Sequence, residues 1–546
     1  RDWSVTGVQT CALPIFMTVD SGSKRVELSL SRQSSIILAA KVFGFVLSFF
    51  LPVLVVRLMP QDEVGIYRQV FLIVNTAINI LPLGMGMSAY YFLSREPELR
   101  NPTVLNILAF LFVLGGLLFA SLLAYPDILN ILFKHEEMGR LSPLIATVIW
   151  LWLVGSLLEI VILANREVWL ASFVIVGIHL SKAASMILAV FLWPTPEGFL
   201  YAAAAQGAIQ LAALLYYLND RFPGFYRNFD FTFFRRHLAY AIPLGLAGIL
   251  WVFQTDLHNY FVGYRFTPAE FAIYAYGCFQ LPLVNLMIES VTAVLIPRIS
   301  ELQMLGDKRE IIALSGRSMN KLALVFLPFY AFLFVTAEPF IITLFSRDYI
   351  ASVPIFLINL TLIPFAIWIN DPVVRAFPEL GRFLLYLRIA LLVGMTATLV
   401  VGINSFGLSD MILVVVLVAL TEKAVLTFAV LRKLEANRSD IKLLKGPALT
   451  ALASGIAGAV TYGLLYLSYA SVQSLLSTRL LESLPWLSAK LADSLANSLV
   501  LAAAGLLFLG TYLVGIYWFG LVDSPAINRE HPILKAIGNY WPRFRA

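Results

Sequence analysis

Runs of about 20 predominantly apolar residues recur from one end of this 546-residue chain to the other, and each is long enough to cross a hydrocarbon core of about 30 Å as a helix. No other feature restricts the fold so strongly. Composition points the same way: 60% of the residues are hydrophobic and 13% charged, with a mean hydropathy of +0.83. A soluble domain is roughly 45–50% apolar and about 25% charged. The chain reads as an all-α polytopic membrane protein, which excludes a secreted enzyme, a nucleic-acid-binding domain and a disordered scaffold.

The opening stretch is set aside. Val5 to Ile15 reads as the translation of a sequencing adapter, so residues 1–16 are treated as an artefact and Met17 as the natural start. It has no sustained apolar region of the kind a signal peptide needs. Cys278 is then the single cysteine, which offers neither an internal disulfide nor a metal cluster, and packing is its expected role.

Apolar runs between polar punctuation predict fourteen spans, near 34–57, 69–92, 103–123, 142–164, 168–193, 198–218, 237–263, 270–296, 318–345, 350–371, 382–403, 409–431, 447–470 and 496–519. An even number returns both termini to one side. From Met17 onward, 26 Lys and Arg fall in the terminus-side loops and eight in the opposite set: Arg57, Arg68, Lys134, Arg140, Arg265, Arg347, Arg479 and Lys490. By the positive-inside rule both termini are cytoplasmic, and the net charge of +6 is mainly an orientation signal. No inter-span loop holds a Walker-type phosphate loop or a His-Glu-x-x-His pair, and the five His residues (135, 179, 237, 258 and 531) are scattered. No catalytic residue, metal or cofactor is expected.

Glu63-Val64-Gly65-Ile66-Tyr67, in the loop entering span 2, is matched by Glu270-Phe271-Ala272-Ile273-Tyr274, entering span 8, 207 residues later. Six spans separate the copies, which makes the halves parallel repeats about an axis along the membrane normal. The organisation expected is a cytoplasmic N-terminus at 17–33, an N-lobe at 34–218 and a cytoplasmic linker at 219–236. A C-lobe at 237–431, two further spans within 447–519 and a cytoplasmic tail at 520–546 complete it.

Twelve core spans in two six-span lobes plus two C-terminal helices resemble the MOP superfamily of flippases and antiporters. Glu63 to Tyr67 resembles the E-(F/Y)-G-(I/L)-Y segment of its polysaccharide flippase branch, as do Ala241-Ile242-Pro243-Leu244, the later Asp256, and Val294 to Ser300. The resemblance covers nearly all of residues 30–520. It implies transport of a polyprenyl-diphosphate-linked oligosaccharide across a bacterial cytoplasmic membrane without ATP, through a central cavity lined by spans 1, 2, 7 and 8. The implied partners are that glycan lipid and the bilayer, with H+ or Na+ as coupling ion, no nucleic acid, and a monomeric chain.

Ionisable groups within spans are costly, about 2.5–3.5 kcal/mol each on insertion scales, and so are functional candidates. Lys41 is placed to draw a diphosphate into the cavity, or else to snorkel or to pair with Glu289 at similar depth. On span 7, Gln254 and His258 share a face while Asp256 points elsewhere; Asp256 and His258 are candidates for ion coupling or for interhelical hydrogen bonding. Asn75 and Asn79 on span 2, and Gln280, Asn285 and Glu289 on span 8, complete the cavity candidates. Tyr90, Tyr91 and Tyr260 are further sugar contacts or interfacial anchors. Arg57, Arg68, Arg265 and Arg298 mark the cavity rim. Glu159, Lys182, Arg388 and the Glu422–Lys423 pair are expected to form ion pairs inside the lobes. Alternatives are a lipid II flippase, a multidrug/cation antiporter and, from another class, a membrane-embedded polymerase or transferase acting on polyprenyl-linked sugars.

Overall fold

The computed structural model describes residues 51–227, 229–483 and 489–521, together with residues 39 and 43. The adapter-like opening, the N-terminal segment 17–33, nearly all of span 1 with Lys41, and the tail from 522 lie outside the described residues. Thirteen helices among the described residues are long and apolar enough to cross a membrane. They correspond in order to spans 2–14, and no strand occurs among the described residues. The chain is an all-α polytopic membrane protein.

Two compact units emerge. The first runs to Ala275 and takes in Arg388–Ser405; the second holds Tyr276–Leu387 and continues from Phe406. In chain order unit 1 contains α1 (Gln61–Ile80), α2 (Met85–Arg95), α3 (Arg100–Ala124), α4 (Asp127–Phe133), α5 (Glu136–Gly155), α6 (Leu157–Ala164), α7 (Val168–Leu192), α8 (Pro196–Arg221) and α9 (Phe231–Arg265). The helix α10 (Pro268–Gly277) straddles the boundary between the units. Unit 2 contains α11 (Pro282–Met304), α12 (Lys308–Val335), α13 (Ala337–Phe345), α14 (Val353–Leu360), α15 (Leu362–Phe365) and α16 (Asp371–Ala376). Then come α17 (Pro378–Gly402), whose latter part joins unit 1, α18 (Leu408–Lys433), α19 (Lys445–Ser483) and α20 (Ala489–Trp518).

Two spans differ from their sequence outlines, span 2 in two ways and span 8 in one. The motif Glu63–Tyr67 is not in a loop: Pro60 occupies the N-cap of α1, and the motif forms its first two turns. Proline fixes its own φ and lacks an N–H, so a helix begins readily just after it. Span 2 is interrupted after Ile80 by the turn Leu81–Gly84, where Leu83 (φ 47°) and Gly84 (φ 80°) adopt left-handed backbone. Span 8 breaks between Gly277 and Pro282, so its apolar crossing is Pro282–Met304, not 270–296. Non-helical backbone at membrane depth is tolerated only where protein or water satisfies it.

In unit 1, the core groups Met85, Ile107, Leu153, Leu157, Val161 and Ala241, all nearly fully buried. The helix α9 runs antiparallel along α1 and α2. Gly65 lies against Pro268, Gln69 near Gly263, and Gly84 against Ala241 and Gly245. Further along, Ser88 Oγ and His237 Nδ1 are 2.5 Å apart, and Arg236 pairs with Glu96 at 2.8 Å. The partners' numbers fall as those on α1 and α2 rise, so one continuous seam joins these elements. Unit 2 holds two clusters. One gathers Leu295, Ile299, Val373, Val374 and Leu426; the other packs Ala453 and Ala457 of α19 against Phe508, Tyr512 and Ile516 of α20. Tyr512 Oη donates to the Leu324 carbonyl at 2.9 Å, tying α20 to α12.

Candidate functional site

The two motif copies sit at matching places, in the opening turns of α1 and α10, and Gly65 of the first packs on Pro268, two residues before the second. A Cβ on Gly65 would overlap the Pro268 carbonyl and lie 2.8 Å from Pro268 Cα, so only glycine admits this approach. The copies use their acids differently. Glu270 accepts from Thr267 N and Thr267 Oγ1, both at 2.9 Å, which closes a capping box at the α10 N-terminus. Glu63 has Pro60 before it, with no N–H there to cap, and its Oε2 is buried without a hydrogen-bond partner. Gly65 and Ala272 are the small residues of the pattern. The Tyr67 ring lies tilted against Phe199, centroids 4.6 Å apart, and Tyr274 is fully buried.

The α9 candidates divide by face. Gln254 and His258 are 9% and 5% exposed, so they face protein. His258 Nδ1 and the Tyr274 hydroxyl share a hydrogen bond at 2.7 Å, which joins the end of α9 to the second motif copy. Tyr274→Phe removes this bond and leaves the ring nitrogen buried without that partner. The expected loss is about 1–3 kcal/mol, read as a lowered unfolding midpoint; an unchanged midpoint would show that the bond is dispensable. Asp256 sits on another side of α9, where Tyr260 has both Thr76 of α1 and Asp256 as neighbours.

The remaining cavity candidates are exposed. Asn75 and Asn79, fourteen and eighteen residues into α1, both present their amides at the surface of unit 1, and Asn79 Nδ2 donates to the Asn75 carbonyl at 2.8 Å. In unit 2, Gln280 lies in the break before α11, Asn285 Nδ2 donates to its Oε1 at 3.3 Å, and Glu289 is exposed one turn further along. Tyr91 stacks on Tyr240 at 4.5 Å and carries the Arg95 guanidinium, which holds Tyr91 within unit 1. Amides and a carboxylate exposed at membrane depth are poorly tolerated against lipid tails and fit a water-filled surface.

Of the rim cations, Arg57 donates to the Val53 carbonyl at 2.6 Å and Arg265 to the Asn404 carbonyl at 3.0 Å. Arg298 pairs with Glu301 at 2.6 Å, and Arg68 is partly buried on α1. Sequence reasoning missed the aromatic partners of two intramembrane cations. Lys182 lies over the Trp152 ring and Arg388 over Trp251, at 4.0 and 5.0 Å from the ring centroids. Sequence gave no spacing signal for either contact, because the partners lie on different helices.

A family profile described as "Polysaccharide biosynthesis protein" matches residues 54–354. No curated protein matches by sequence. Among solved structures, the chain is similar to the lipid II flippase MurJ in an inward closed conformation, with a TM-score of 0.63 and 13% identity, covering 89% of this chain and 100% of that one. It is also similar to an inward-facing multidrug resistance MATE family transporter of the MOP superfamily, with a TM-score of 0.56, 15% identity and coverage of 75% and 96%. A MOP superfamily transporter from Pyrococcus furiosus gives a TM-score of 0.53 at 13% identity, with coverage of 74% and 95%. At these identities the likenesses establish the fold, while the profile spans more than half of the chain: the protein belongs to the polysaccharide biosynthesis protein family and has the fold of the MOP superfamily of transporters.

Proposed function

We propose that the protein is a flippase that carries a polyprenyl-diphosphate-linked oligosaccharide from the cytoplasmic to the outer leaflet of a bacterial cytoplasmic membrane. The observation that carries this reading is the set of exposed amides and carboxylate at membrane depth: Asn75 and Asn79 in unit 1, and Gln280, Asn285 and Glu289 in unit 2. Amides suit sugar hydroxyls because they both donate and accept. The breaks at Leu81–Gly84 and Cys278–Leu281 place irregular backbone beside them, as transporters do where a site interrupts a helix. Membership of a polysaccharide biosynthesis family supports a glycan cargo.

In this reading the chain transports and does not catalyse, works as a monomer with both termini cytoplasmic, and draws on H+ or Na+ instead of ATP. Two parallel six-span repeats alternate access to the cavity, and Lys41 meets the diphosphate. The coverage of the lipid II flippase fold favours lipid II as the second reading.

Liposomes holding the purified protein decide between them. The assay follows leaflet exchange of a fluorescent polyprenyl-diphosphate oligosaccharide, with lipid II in a parallel arm and no ATP in either. Exchange of the first alone supports the proposal, exchange of lipid II alone supports the second reading, and new glycosidic bonds would show an enzyme. The Asn75→Ala/Asn79→Ala double variant should lower the exchange rate about tenfold, since two lost hydrogen bonds of about 0.5–1.5 kcal/mol each amount to that factor. An unchanged rate would remove these amides from the cargo path.

A further inference from the structure

Two buried or half-buried charges of unit 2, Asp371 and Lys423, have charged neighbours. Asp371 pairs with Arg375 at 2.7 Å, and Lys423 lies beside Glu422 and Asp371. Lys182 in unit 1 is different. It stands fourteen residues from the start of α7 and ten from its end, so it is deep in the span. Ile175 and Ala189, seven residues to either side and hence on the same helix face, are 1% and 7% exposed. Lys182 itself is half-buried, so its side chain lies against the packed interior of unit 1 and keeps an exposed edge. Its ammonium lies 4.0 Å from the centroid of the Trp152 ring. Among the described residues, it forms neither an ion pair nor a hydrogen bond.

Trp152 is a fixed platform. Its Nε1 donates to the Ala203 carbonyl at 3.0 Å, and a Cβ on Gly207 would come within 2.8 Å of Cδ1, so α8 makes room for the ring only through glycine. From Trp152 a chain of rings leads to the first motif copy. Phe71 lies 6.0 Å from Trp152, and Tyr67 lies 4.9 Å from Phe71. The titratable groups on the surrounding elements include His179, half-buried and one turn back on α7, where it neighbours Lys182 along the helix. The others are Glu136, Glu137 and Arg140 at the start of α5; Glu159 on α6; Glu197, Tyr201, Tyr216, Tyr217, Asp220 and Arg221 on α8; and Asp62, Glu63, Tyr67 and Arg68 at the start of α1.

We propose that Lys182 is a proton-binding switch whose ammonium form is seated on Trp152, and whose loss of a proton to water withdraws the cation from the indole face at the head of the ring chain to α1. A ring face attracts a cation through its quadrupole, and a neutral amine forfeits that attraction. Lysine, unlike arginine, changes protonation readily when withdrawn from water. The switch is independent of which lipid is carried.

The test uses the intact purified protein in detergent. The emission of Trp152, taken as the difference between the wild type and Trp152→Phe, is followed from roughly pH 6 to 10. One titration step is expected. Lys182→Met should abolish the step and hold the emission at its high-pH level. Lys182→Arg, which keeps a fixed cation over the ring, should abolish it and hold the emission at its low-pH level. A flat wild-type trace overturns the proposal without recourse to any Lys182 variant. So does a step that survives in Lys182→Met, or one that disappears in His179→Ala with Lys182 intact.

Discussion

Gly65→Val is expected to drive the opening turns of α1 and α10 apart. The built Cβ overlaps the Pro268 carbonyl and lies 2.8 Å from Pro268 Cα, so what it meets is backbone. A flexible side chain could swing aside; a carbonyl at the start of a helix moves only with that helix. Overpacking of a core ordinarily costs about 1–3 kcal/mol, and a backbone obstacle puts this change at or above the upper end. The neighbouring bond between Tyr274 and His258 depends on the same placement of α10 and would be strained with it. The comparison is Gly224→Ala. Gly224 has left-handed backbone at φ 73° but open space around it, so that change carries only the conformational cost of about 1–2 kcal/mol. Unfolding midpoints of the two purified variants should differ clearly, with Gly65→Val lower. Equal midpoints would mean that the motif contact does not hold the two helices together.

The second large effect lies deeper in the same seam. Gly84→Ala places a Cβ on the Ala241 carbonyl and 2.8 Å from Gly245 N, while Gly245→Ala places one 2.5 Å from the Leu83 carbonyl oxygen and 2.8 Å from Gly84 N. Each glycine makes room for the other's backbone. Each substitution should destabilise the protein by about 2–3 kcal/mol. Gly84→Ala should be worse by about 1 kcal/mol, because its φ of 80° is left-handed. The double variant should lose less than the sum, since the first change already opens the contact that the second would crowd; residues in contact commonly couple by about 0.5–3 kcal/mol. Strict additivity would show that the two glycines act at separate places.

These glycines also show how far the sequence was legible. Long apolar runs revealed the order of the spans, because length and hydropathy are properties of contiguous residues. The match between Glu63–Tyr67 and Glu270–Tyr274 revealed a repeat for the same reason. What sequence could not show was that Gly65 of the first copy packs on Pro268, just before the second, or that Gly84 and Gly245 face one another from 161 residues apart. Close backbone approach leaves no local signature beyond a glycine, and the sequence has 33 of them. The polar residues ahead of the apolar run make the motif look like loop, yet Pro60 starts the helix there and Asp62 and Glu63 favour its first turn. At the candidate site, Asn75 and Asn79 were legible as an i,i+4 pair of amides. The platforms under Lys182 and Arg388 were not, because a tryptophan in a span looks the same whether it meets lipid or a cation.

The longest helix supplies a ruler. At 1.5 Å per residue the 39 residues of α19 extend about 58 Å, nearly twice the hydrocarbon thickness of about 30 Å. After Lys445 no charged residue occurs until Arg479, so charge alone does not mark where the helix leaves the bilayer. Tyrosine does. Tyr462, Tyr466 and Tyr469 fall about 25–36 Å beyond Lys445, the depth at which an aromatic belt meets the far interface. The turns from Ser471 to Ser483 then continue past this belt as a rod about 20 Å tall, braced by Gln473 on Asp493 and by Arg347 on Asp493 at 3.4 Å. Of these, the Arg347 pair is exposed and contributes little to stability, typically below about 1 kcal/mol. The rod is therefore a handle: residues near its end can carry an epitope or a reactive label that reports which compartment they occupy, while the membrane-embedded helices stay untouched.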